Sequence, residues 1–119
     1  FVPIKNDEEY QPRIIIISEN GTSSKEALNS FKRELVKISG SEILSQERIN
    51  INGLEAYIVD FKGVDLSKTY KNGNNIYRGK KLYIQNKGKI YIVDALSIET
   101  SWGNYEKLFL DSFLSFRFQ

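Results

Sequence analysis

Apolar and polar positions along this chain switch between two periods. Four isoleucines run together between Arg13 and Ser18, bounded by Pro12 and Asn20-Gly21. A short β-branched run between turn residues reads as a strand buried on both faces. The period then lengthens. Leu28, Phe31, Leu35 and Ile38 recur at spacings of three and four, one stripe of a helix, while Lys25, Asn29, Lys32, Arg33 and Lys37 fall largely off it. Ser23-Ser24-Lys25-Glu26 opens that helix as a capping box, and Gly40 supplies the expected glycine stop.

From Ile43 onward the period is two. Ile43, Ile49 and Ile51 mark a strand, and Asn52-Gly53 turns it, because a type I′ turn needs positive φ at both central residues. The return strand, Glu55 to Lys62, puts Tyr57, Val59 and Phe61 on one face and Ala56, Ile58 and Asp60 on the other. Residues 63–78 form a long Gly/Asn/Lys connection, with 65–78 expected to be the most mobile internal segment. Lys80 to Gln85 and Ile90 to Ile98 are strands joined by a turn at Asn86 to Lys89, with Leu82, Ile84, Ile90 and Ile92 as apolar contributors. A last helix begins near Thr100-Ser101 and carries Tyr105, Leu108, Phe109, Ser112, Phe113 and Phe116. Residues 1–12 hold both prolines and read as an irregular N-terminal segment or edge strand. The order β-α-β-β-β-β-α predicts an α+β domain spanning 1–119, with a central antiparallel sheet of about five to six strands sandwiched by helices.

Composition narrows the chemistry. The 119 residues suffice for one domain with a real core. Seventeen basic residues against fifteen acidic ones leave +2, too small a surplus to predict nucleic acid as a partner. There is no Cys and no His. Thiol nucleophiles, Ser-His triads and the usual zinc sites are excluded, which leaves carboxylate chemistry or an oxygen-ligand cation. No apolar run approaches the roughly 18 residues of a membrane span. The chain opens on Phe1-Val2-Pro3 without Met, so a mature or trimmed fragment is expected. Any contact with a membrane would come through a lipid anchor removed upstream.

The stretches INGLEAYIVDF, KLYIQNKGKIYIVDALS and YEKLFLDSFLSFRF, together with the helix SSKEALNSFKREL, resemble the PsbP-like family. That superfamily includes the extrinsic photosystem II protein, bacterial secreted proteins and lipoproteins of unknown function, and the Ran-binding Mog-type proteins. The likeness covers roughly residues 13–118 and lies in the order and spacing of elements. It implies a central antiparallel sheet between helices, in a protein that binds or assists and does not catalyse. Metal-linked residues of the plant members include His, which this chain lacks, so no metal site and no cofactor are carried over.

Several constellations invite a functional reading. Glu55, Asp60 and Asp94 could serve acid–base work or a cation; solvated carboxylates paired with neighbouring lysines give the same sequence. Asp7-Glu8-Glu9 lacks the spacing of a calcium loop, and Lys71 to Asn75 lacks the glycines and the following helix of a phosphate loop. Trp102, at the mouth of the last helix, could stack on a ligand, but a lone Trp there reads first as an anchor of that helix to the sheet. Tyr70, Lys71, Tyr77, Arg78, Lys80, Lys81 and Tyr83 interleave aromatic rings with positive charge. Such a stretch suits a ligand-facing rim, an anionic-lipid patch or a single-strand surface, and equally a strand face with snorkelling lysines. Tyr70, Lys71, Tyr77, Arg78, Lys81 and Tyr83 are the candidate residues for binding a protein partner or small ligand, one of acidic character.

Three functions stand at this point. The first is a non-catalytic binding or assembly module, secreted or membrane-anchored, with residues 63–83 as its recognition edge. The second is an intracellular partner of a small GTPase. The third is a carboxylate-dependent hydrolase, against which the missing His and Cys count.

Overall fold

The turn chemistry folds as the sequence requires. Asn52 and Gly53 take φ of 52° and 84°, and the Gly53 N–H donates to Asn50 Oδ1 at 2.9 Å. Lys87 and Gly88 repeat the pattern at 52° and 79°. These two hairpins organise the computed structural model, which describes residues 13–21, 23–64 and 76–115. Its elements are β1 (Arg13–Asn20), α1 (Ser24–Leu35), β2 (Glu42–Ile51), β3 (Leu54–Val64), β4 (Ile76–Asn86), β5 (Lys89–Ile98) and, after a single 3₁₀ turn, α2 (Trp102–Leu114).

The five strands make one antiparallel sheet in the order β1-β5-β4-β3-β2. The expected α+β class and element order are those of the chain. Ser23 Oγ accepts from the Glu26 N–H at 3.1 Å and caps α1. That helix ends at Leu35, earlier than expected, and a turn runs from there to Gly40 at φ 87°.

The helices take opposite faces. Leu28 of α1 is fully buried among Tyr57, Val59, Tyr83 and Ile90, and Leu35 packs with Phe61 and Leu96. Trp102, Phe109 and Phe113 of α2 meet Ala56, Ile58, Leu82, Ile84, Val93 and Ala95 on the other side. Each fully buried large apolar side chain contributes roughly 1.5–3 kcal/mol by area. The period-two reading of β3 therefore assigned both faces correctly.

One expectation fails. β1 is not buried on both faces: it lies at the edge of the sheet, and Ile15, Ile16 and Ile17 are 40%, 61% and 48% exposed. An apolar run records the hydrophobicity of a strand and not its place in the sheet. The opposite edge, β2, is polar and exposed along most of its length, with a register shift between Ile43 and Ser45. Charge and irregularity are the usual guards of an edge. The connection is shorter than expected, since β3 runs to Val64 and β4 begins at Ile76. The mobility expected of 65–75 lies outside the described residues, as do residues 1–12.

Candidate functional site

β4 carries most of the candidate residues, and its alternation divides them. Tyr77, Lys81 and Tyr83 point to the α1 face, where Tyr77 packs with Phe61 and Tyr83 with Leu28 and Val59. Arg78 lies on the α2 face, its guanidinium carbon 5.4 Å from the centre of the Trp102 ring. Tyr70 and Lys71 lie outside the described residues.

The α1-face group is largely interior. Tyr83 is 1% exposed, and burial, aided by the charges of Asp94 and Glu19, pushes its phenol far up. The Lys81 ammonium sits 3.8 Å above the Phe31 ring and 5.9 Å from that of Phe61. Asp94 Oδ2 lies 3.8 Å from it. Burial lowers the Lys81 pKa and Asp94 partly opposes this. A cation held against an aromatic face and a carboxylate is a structural arrangement that still leaves Lys81 partly open to solvent.

The α2-face group is more polar. Register places Glu42, Lys62, Arg78 and Ser97 in one row across β2, β3, β4 and β5, and Ser45, Asp60, Lys80 and Ala95 in the next. Lys80 Nζ lies 2.6 Å from Asp60 Oδ1, and Ser45 Oγ donates to Asp60 Oδ2 at 2.8 Å. Lys80 is 6% exposed, so the pair is a buried one. Lys62 reaches Glu99 at 3.7 Å. Ser97 is fully buried and donates to the Ile98 carbonyl at 3.0 Å. Arg78 Nε and Trp102 Nε1 are both buried and have no hydrogen-bond partner.

The carboxylates weighed for acid–base work do not converge. Asp60 is on the α2 face with Lys80, Asp94 on the α1 face with Lys81, and Glu55 at the far end of β3 with Arg48 at 3.4 Å. Glu55 also accepts from the Tyr57 hydroxyl at 2.9 Å, a bond that raises the Tyr57 pKa. Among the described residues no group of three or more acidic side chains could hold a metal ion. None of the described helices is long and apolar enough to cross a membrane.

Nothing in the sequence pointed to Lys62 or Glu99, and of the two readings of Trp102, ligand stacking and anchor, the pattern favoured the anchor. Trp102 is such an anchor, 3% exposed and 5.4 Å from Phe109. Its contact with Arg78 follows from β4 beginning before Arg78, which no local signal announced.

No protein-family model matches this sequence, and no curated protein sequence matches it. Solved structures do. PA94 from Pseudomonas aeruginosa, a protein of unknown function, superposes at a TM-score of 0.65 and 10% identity, over 97% of this chain and 86% of its own. Cyanobacterial PsbP from Synechocystis sp. PCC 6803 does so at 0.59 and 18%, over 90% of this chain. LpqN of Mycobacterium tuberculosis, a protein involved in cell envelope biogenesis, does so at 0.52 and 15%, over 93% of this chain. The chain spans 65% and 61% of the lengths of these last two. Identities this low speak for backbone architecture alone. The order of elements read from the sequence and these superpositions agree on that architecture: the chain has the PsbP-like fold.

Proposed function

We propose that this chain is a non-catalytic binding or assembly module that works outside the cytoplasm and recognises a protein partner or small ligand by its surface. The observation that carries this reading is the dispersal of the carboxylates. Glu55, Asp60 and Asp94 are each held by their own cation, with the sheet between Asp60 and Asp94. Paired-carboxylate acid–base work needs both groups to flank one bound substrate, and ion pairs on opposite faces of the sheet do not supply that.

The recognition segment in this reading is 63–83, which enters the central strand β4, with Tyr77 and Lys81 partly exposed on the α1 face and Arg78 on the α2 face. Tyr83 acts beneath them as core. An acidic partner suits the local charge. The fold likeness to an envelope-biogenesis protein supports placement outside the cytoplasm.

Fractionation of native host cells, followed by sizing of the extract, tests the proposal. The full-length product is expected in the envelope or the medium, eluting with a partner. Recovery from the cytosol as a free monomer would overturn it, and cytosolic recovery with a small GTPase would establish the second reading instead.

A further inference from the structure

Lys62 and Arg78 stand directly opposite each other on β3 and β4, on the face covered by α2. Like charges at opposed positions of an antiparallel pair repel and weaken the sheet. The neighbourhood does not neutralise them evenly. Glu99 serves Lys62 at 3.7 Å, and Lys80 is taken up by Asp60 at 2.6 Å. Glu42, the β2 neighbour of Lys62, is exposed and forms no ion pair among the described residues.

Among the described residues no ion pair holds Arg78, and its Nε–H is buried without an acceptor. Beside it the Trp102 indole N–H is also buried without an acceptor, in a side chain 3% exposed. A buried donor left unpaired costs about 1–3 kcal/mol. Two such donors flank one contact, with the guanidinium 5.4 Å from the indole ring. Trp102 is also the first residue of α2, a helix with no side-chain cap bond and no acidic residue in its first turn. The acidic residue that precedes this helix start, Glu99 of the 3₁₀ turn, has its carboxylate on Lys62.

We propose that this corner binds a small oxyanion, a carboxylate or a phosphate, accepting from Arg78 Nε–H and Trp102 Nε1–H, with Lys62 as the second cation. The oxyanion separates the like charges of Lys62 and Arg78 and gives both donors an acceptor. Arg supplies a planar fork matched to such oxygens, and the bond is charge-assisted. The inference rests on the proposed recognition surface through the shared Arg78, and titration with free anions reports on this corner without any protein partner.

The experiment is an NMR titration of the ¹⁵N-labelled chain, following the Trp102 indole and Arg78 Nε–H signals. Sodium phosphate and sodium acetate are the probes, with sodium chloride at matched ionic strength as the control. A saturable downfield shift of both signals by phosphate, by acetate or by both supports the proposal and tells which oxyanion fits. Arg78→Gln is expected to weaken the binding about tenfold, as loss of one charge-assisted contact does. Lys62→Gln, at the more solvated position, is expected to weaken it a few-fold and to keep the dispersed spectrum of the fold. Equal shifts with chloride, or an unchanged affinity in both variants, would overturn it.

Discussion

The Phe61 ring occupies the space that a side chain at Gly79 would need. Two residues along the same pair of strands the relation is reversed, with the Tyr77 ring over Gly63. Phe61 is 2% exposed and cannot swing away, whereas Tyr77 lies half-buried near the end of the sheet. Gly79→Ala is therefore expected to cost about 1–3 kcal/mol, the range for overpacking. Gly63→Ala should cost less, since the Tyr77 ring can move. Urea unfolding of both variants checks the order. Equal small losses would mean that Phe61 yields.

The Asp60–Lys80 pair makes a second prediction. Lys80→Ala leaves the Asp60 carboxylate with only the Ser45 hydroxyl. Removing one partner of a buried pair costs about 3 kcal/mol, while replacing both by apolar residues is often neutral. Asp60→Leu combined with Lys80→Met should accordingly recover most of the loss in a double-mutant cycle. A double variant as unstable as the single one would contradict this.

Much of this architecture was written locally. Asn52-Gly53 declared its turn through positive φ, and Leu28 and Leu35 declared the buried side of α1 through their spacing. The alternation of Tyr57, Val59 and Phe61 against Ala56 and Ile58 separated the two faces of β3. The place of β1 was not legible, because strand order is a tertiary property and four isoleucines suit a centre or an edge. Nor was the separation of Arg78 from Tyr77 and Lys81. It depends on where β4 begins, and Asn and Gly in the preceding stretch masked that start.

Two buried groups give opposite slopes at alkaline pH. The folded phenol of Tyr83 is raised above the ordinary value of 10.0 by burial. Above about pH 10 the unfolded phenol ionises while the folded one does not, so stability falls as pH rises. Lys81 is lowered from 10.5 by burial. Between its folded pKa and 10.5 the unfolded state holds more protons, so stability rises with pH through that window. Tyr83→Phe should lessen the fall above pH 10, the raised Tyr57 phenol keeping part of it, and Lys81→Met should lessen the rise below it. Denaturation midpoints across this range report both, and a wild-type slope retained in either variant would contradict the assignment.

The exposed β1 edge carries a simpler expectation. Ile16 is 61% exposed, so Ile16→Lys should change stability by no more than about 0.5 kcal/mol. A loss near 3 kcal/mol by thermal unfolding would mean that Ile16 is a core residue after all.

Recognition at the end of the sheet where the central strand β4 begins is tested most directly by photo-crosslinking in native host cells. A photoreactive amino acid is placed at Tyr77 in the full-length protein, and for comparison at Glu106, which is exposed on α2. A discrete adduct is expected from position 77 and none from position 106. No adduct from 77, or the same set of adducts from both positions, would contradict it.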